Sequence, residues 1–229
     1  MRYTRPTRGA VRLDDMKFDV EPLRADVSAF TPDDWVTMKN GSAWGQIQVI
    51  KPDGEGGVEE HPRLEKSPGL RGLIESFPAK CLDVSLARLG PGGRVEAHRD
   101  ISGGTPMGVA RFHVPVVTSP DVEFFVSERK VTMAPGETWN LDTSYLHRVA
   151  NEGDVWRVHV IMDFEMNEAI RSMLPKEDWV DRLHKVHFSI ICFFKGLELL
   201  LKDPRAFLRR LISVIRLKFF GQSQMVFED

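Results

Sequence analysis

The sequence predicts a mainly β domain of the sandwich, jelly-roll or barrel kind, with helices before and after it. Three observations carry this. Between Cys81 and Phe164, short segments of alternating or apolar character recur at close intervals. Turn signals punctuate them: Pro91-Gly92-Gly93, Ser119-Pro120-Asp121, Ala134-Pro135-Gly136 and Asn151-Glu152-Gly153-Asp154. Beyond Phe164 the apolar spacing turns helical. Many short strands separated by regular turns, without helices between them, argue against a βαβ fold.

Residues 1–41 read as a helical or irregular segment, with a helix start at Thr31-Pro32-Asp33-Asp34, where threonine caps and proline suits the first turn. Trp44–Ile50 alternates as a strand, Lys51–Glu60 is a polar, glycine-rich loop, and Gly69–Phe77 is a short helix. Strands follow at Cys81–Leu89, Val109–Val117, Val122–Val126, Lys130–Met133, Glu137–Leu141 and Val155–Phe164. The core is therefore expected over 42–164. Residues 165–229 form a C-terminal helical region, with helices at Glu165–Leu174, Glu177–Phe194 and Lys195–Phe220, the last interrupted at Asp203-Pro204 because proline breaks the hydrogen-bond ladder.

The chain has 229 residues, 42% of them hydrophobic and 28% charged, with a formal net charge of −2. That excludes a disordered, collagenous or disulfide-rich protein. Near-neutral charge speaks against a dedicated nucleic-acid binder. Cys81 and Cys192 form no zinc or redox motif and read as small packed residues. The N-terminus has arginines but no apolar stretch of the signal-peptide kind, and the longest apolar run, Phe188–Phe194, is too short to span a bilayer. A cytoplasmic location is the expectation. The charge is uneven, however. Residues 195–221 hold seven Lys or Arg against Glu198 and Asp203, a net +5 that leaves −7 for the remainder.

Four histidines fall in the β region: His98, His113, His147 and His159. In His98-Arg99-Asp100 the first and third residues share one side of an extended segment, so both can meet one ion. With His147 they make two imidazoles and a carboxylate, the facial set of non-haem Fe(II) oxygenases, although zinc accepts the same donors. Strand parity puts Arg111 and His113 on one face of their strand, and Arg157, His159, Ile161 and Asp163 on one face of the last. An arginine within an apolar strand needs a partner. For Arg157 that is either an internal salt bridge, with Asp163 or Glu123, or a bound anion. Glu137, Trp139 and Asp142 read as structural. Arg88, Arg94 and Arg99 are either charges at the mouth of a pocket or solvated loop residues.

Five motifs stand in order: Glu96-Ala97-His98-Arg99-Asp100, Arg111-Phe112-His113-Val114-Pro115, Pro135-Gly136-Glu137-Thr138-Trp139-Asn140-Leu141-Asp142, His147-Arg148-Val149-Ala150-Asn151-Glu152-Gly153 and Arg157-Val158-His159-Val160-Ile161-Met162-Asp163. This series resembles the aspartyl/asparaginyl β-hydroxylase family of Fe(II)/2-oxoglutarate-dependent dioxygenases, which includes cis-4-proline-hydroxylase-like enzymes. The resemblance is strong over 81–164, with a weaker echo at Gly41-Ser42-Ala43-Trp44. It implies a double-stranded β-helix, the cupin-like jelly roll. It implies His98, Asp100 and His147 as iron ligands, Arg157 on the distal carboxylate of 2-oxoglutarate, and Arg111 and His113 near the cosubstrate's metal-bound end. Some members carry a hydroxyl residue where this chain has Ala87, with Ser85 one repeat away on the same face.

The implied reaction hydroxylates an unactivated C–H bond of an amino acid or amino-acid residue with O2, releasing succinate and CO2. Two other readings remain: a metal-binding cupin-like module without catalysis, and an acyl-chain hydroxylase held at a membrane by its basic tail. That tail, Lys195 to Phe220, is amphipathic and cationic. Its apolar face covers the barrel or a second copy, or residues 195–221 dock on a partner or lie in an anionic membrane interface.

Overall fold

The computed structural model describes residues 1–37, 43–53, 57–100, 104–209 and 211–212. Its strands are β1 (Tyr3–Thr7), β2 (Ala10–Lys17), β3 (Val36–Thr37), β4 (Trp44–Pro52), β5 (Val58–Glu60), β6 (Cys81–Leu89), β7 (Arg94–His98), β8 (Val109–Val117), β9 (Val122–Val126), β10 (Arg129–Lys130), β11 (Glu137–Leu141), β12 (His147–Asn151) and β13 (Arg157–Glu165). The helices are α1 (Val20–Ser28), α2 (Pro68–Glu75), α3 (Glu168–Met173) and α4 (Trp179–Lys202). A large antiparallel sheet runs β1-β2-β11-β8-β13-β6-β4-β3, with β5 paired to β4, and a smaller sheet runs β10-β9-β12-β7. Together they form a jelly roll.

Two apolar layers fix the sheets. Phe112, Val114, Val116, Val160, Met162 and Phe164 pack from the large sheet against Leu23 of α1 and Leu70 and Leu73 of α2. Burying a side chain of this size contributes roughly 1.5–3 kcal/mol. Leu89, Trp139 and Leu141 of the large sheet meet Phe124, Val126 and Val149 of the small one. Because strand side chains alternate, filling the first layer with Phe112 and Val160 turns Arg111, His113, Arg157, His159 and Asp163 into the space between the sheets. Gly136 sets the approach to β11. Its φ is +79°, and a Cβ there would come within 2.2 Å of the Phe18 carbonyl oxygen.

β6, β8, β9 and β11 have the expected bounds. Elsewhere the structure differs. Residues 1–41, expected to be helical or irregular, hold α1 and also the β1–β2 hairpin, which joins the large sheet through β11. The helix start at Thr31 is a single 3-10 turn, Pro32–Asp34, closed by a capping box with Asp34. The expected loop Lys51–Glu60 contains the pairing of β4 with β5, and its residues 54–56 lie outside those described. The strand expected at Lys130–Met133 is the short β10, Arg129–Lys130. α4 runs unbroken through Phe194 and Lys195 and ends at Asp203-Pro204, after which 204–209 and 211–212 are helical. The rest of the expected helix to Phe220, and Gly41 and Ser42 of the Trp44 motif, lie outside the described residues. Among the described residues, no helix is long and apolar enough to cross a membrane.

Candidate metal and dicarboxylate site

The last residue of β7, His98, pairs directly with the first residue of β12, His147, and their ring centroids lie 4.2 Å apart. Asp100 is turned back toward them because its N–H donates to the Thr143 carbonyl at 2.9 Å. One ligand atom from each of the three lies within 4.8 Å of the others. The Nδ1 of His98 is 2.7 Å from the Glu96 carbonyl and the Nδ1 of His147 is 3.1 Å from the Tyr145 carbonyl. A carbonyl only accepts, so each Nδ1 carries a hydrogen and each Nε2 is the ring atom turned to the centre of the cluster. His98 Nε2 stands 3.3 Å from Asp100 Oδ1.

The electrostatics match. Burial opposes ionisation of Asp100, but the His98 hydrogen bond and the Arg111 charge outweigh it and hold the carboxyl well below the usual range. His98 is raised, chiefly by its hydrogen bond to Asp100, and His147 is lowered by burial. A bound cation would displace the proton that His98 Nε2 shares with Asp100, and two imidazole nitrogens with an ionised carboxylate suit a divalent ion of the iron type. The donor set fits the metal the sequence implies.

Arg111 is held by two carboxylates at the edge of this cluster. Its Nε and Nη2 each donate to Asp163 at 2.8 Å, and its Nη1 donates to Asp100 Oδ2. Asp100 is thereby held by one oxygen and presents the other to the cluster. The internal salt bridge foreseen as one option for Arg157 belongs to Arg111.

Arg157 is 3% exposed. Its Nη2 donates to His159 Nδ1 at 2.7 Å, and its Nε has no partner. Among the described residues no carboxylate lies within ion-pair distance of it. Burial alone drops its pKa to about 9. His159 Nε2 and both ring nitrogens of His113 are buried without partners as well. Burial, followed by the charge of Arg157, holds both imidazoles neutral. Each unsatisfied buried group costs roughly 1–3 kcal/mol, and buried polar groups in a core are normally paired, which sets this cluster apart.

Phe124 links the two halves. Its ring stacks on His147 at 6.4 Å, meets His113 edge-on at 6.2 Å and lies 5.9 Å from the Arg157 guanidinium. Sequence reasoning gave Phe124 no role and left His159 open. Alternation in β9 is the signal that turns Phe124 inward. Arg88, Arg94 and Arg99 all have neighbours: Arg88 lies over Trp35 and Trp156, Arg94 pairs with Glu152 at 2.6 Å, and Arg99 donates to the Ser144 carbonyl. Glu137 is structural as expected, accepting from Ala134 N–H and Trp139 Nε1. Burial pushes the Cys81 thiol up to about 12, which leaves it unreactive.

A family model for aspartyl/asparaginyl β-hydroxylases matches residues 14–167. No curated protein matches the chain. Among solved structures, an oxidoreductase of the 2OG-Fe(II) oxygenase family from Burkholderia pseudomallei is similar at TM-score 0.52 and 14% identity, over 70% of this chain and 86% of its own. The non-heme alpha ketoglutarate dependent carbocyclase SnoK from nogalamycin biosynthesis is similar at TM-score 0.51 and 12% identity, over 74% and 88%. At such identities the likeness establishes the fold. The family match spans the whole cluster and both inward arginines, and the chain belongs to the aspartyl/asparaginyl β-hydroxylase family, enzymes of the Fe(II)/2-oxoglutarate-dependent dioxygenase type.

Proposed function

We propose that this enzyme hydroxylates an unactivated C–H bond of an amino acid or amino-acid residue. One 2-oxoglutarate and one O2 would be consumed per turnover, one oxygen atom entering the new hydroxyl and the other entering succinate, with CO2 lost. His98, Asp100 and His147 would hold the iron. Bound there, the metal supplies the oxidation of the C–H bond that no side chain can perform.

The observation that carries this reading is Arg157, a guanidinium buried among partnerless histidine nitrogens and, among the described residues, with no counter-ion of its own. A module that only held a metal would have no use for it. Arg157 binds the distal carboxylate of the cosubstrate through its planar fork, and the grip sets the length of dicarboxylate that fits. His159 fixes the rotamer of that arginine. His113 offers an N–H toward the metal-bound end. Arg111 acts one step back, as a positioning residue for Asp100. Phe124 closes the floor of the chamber against water.

Replacing His98 or Asp100 with alanine is expected to abolish substrate-dependent succinate formation, while the circular dichroism spectrum stays that of the parent. Undiminished succinate release by either variant would sink the proposal.

A further inference from the structure

α4 carries an apolar face that the rest of the protein does not cover. Trp179, Leu183, Val186, Ile190, Phe193 and Leu197 recur every three or four residues along one line of the helix, and all are exposed, Trp179 at 74% and Phe193 at 67%. Phe194 and Leu201 widen the stripe on one flank. At 100° per residue it covers about a third of the helix circumference. The opposite face holds α4 to the body: Asp181 and Phe188 are buried, and His184 stacks on Tyr145 at 3.6 Å and meets Ser144 Oγ at 2.9 Å. Arg5 and Arg8 of the N-terminal hairpin clamp its first turn through Asp181 and Asp178.

We infer that the outer face of α4 docks the enzyme on an anionic lipid bilayer, lying in the interface without crossing it. Three observations select this occupant. Charge is complementary: residues 195–221 are net +5 while the remainder is −7, Arg182 flanks the stripe, and Lys195, Lys202, Arg205 and Arg209 are exposed at the C-terminal end of α4 and just after it. The body is thus repelled by the same surface that attracts the helix, which orients the molecule. The helix itself, with Arg182, Lys185, Lys195 and Lys202 along it, is too charged to span a bilayer and has the composition of an interfacial helix. A second copy of this chain fits less well. A coiled-coil seam needs complementary charges beside its apolar line. Here the flanks are Val180, His187, Phe194 and Leu201 on one side and Arg182, Ser189 and Gly196 on the other, with no acid to face Arg182. The docked helix also rests on the segment that leads into His147, since the Tyr145 carbonyl accepts from that ligand's Nδ1.

Co-sedimentation of the full-length protein with vesicles tests the inference without any metal or cosubstrate, so its outcome is independent of the catalytic assignment. The protein is expected to pellet with vesicles containing phosphatidylglycerol, to bind pure phosphatidylcholine far less, and to be released by high salt. Ile190→Ser/Leu197→Ser, confined to exposed positions, should weaken binding at least roughly tenfold. Lys195→Glu/Arg205→Glu should remove the preference for the anionic vesicles. A parent protein that stays in the supernatant, or a stripe variant that pellets as well as the parent, overturns the inference. So does a dimer in sedimentation equilibrium that the stripe variant dissociates, since the occupant would then be a second copy.

Discussion

Arg111 joins two carboxylates that serve different purposes. Asp163 anchors the guanidinium from the next strand, and the remaining donor reaches Asp100. Burial opposes the charge on Arg111, but Asp163 outweighs it and the guanidinium is raised further. Arg111→Met should weaken Fe(II) binding roughly 10–100-fold, the usual scale for losing an outer partner of a metal ligand. It should also destabilise the fold by about 3–5 kcal/mol, because Asp163 is left buried and unpaired. Adding Asp163→Asn should restore the melting temperature but not the iron affinity, which separates positioning from structure. Beside this network, burial and then the Asp163 charge raise the Asp83 carboxyl to about 7. A folded pKa above the unfolded value means a cost absent below about pH 4, growing as pH rises to about 7 and constant beyond. Asp83→Asn should therefore match the parent at acid pH and exceed its stability by on the order of 2 kcal/mol at pH 8, as denaturant titrations at several pH values would show.

The elements differ in how plainly the sequence announces them. β6, β8, β9 and β11 alternate apolar with other residues because one face fills a core layer, and their bounds can be read directly. β1 and β2 cannot be read so, since charged residues interrupt them and find partners along the strand, on β11 or across the hairpin: Arg12 with Asp14 and Glu137, Arg2 with Asp15. β7 is mostly exposed, so the strand that delivers His98 has no apolar signature. The β9–β10 turn is hidden for another reason. Ser127 and Glu128 both have positive φ, at 49° and 62°, the geometry usually signalled by Asn-Gly. Glu128→Gly should relieve that strain and stabilise the protein by about 1 kcal/mol. The check is the melting temperature, expected to rise by roughly 2–4 °C.

For the molecule as a whole, the metal cluster was legible because its spacing survives in one dimension: His98 and Asp100 are two apart, and His147 opens a later strand. The inward faces of β8 and β13 followed from parity. What parity could not give was the division of partners between the two arginines. Asp163 lies directly opposite Arg111 because β13 neighbours β8 in that register, and strand order is not written in any local pattern. Among the described residues that register leaves Arg157 without a carboxylate, and the proposed contact with the cosubstrate's distal carboxylate rests on this.

The central claim is that this arginine and the histidine–aspartate cluster together bind 2-oxoglutarate on iron. Its most direct test is a titration of the anaerobic Fe(II) protein with 2-oxoglutarate, read by visible absorption. The parent should develop a weak charge-transfer band that saturates, and Arg157→Met should need about 100-fold more keto acid to reach it while retaining its iron. A parent protein that binds Fe(II) and shows no band at saturating 2-oxoglutarate, or an Arg157→Met variant that titrates like the parent, would contradict the account.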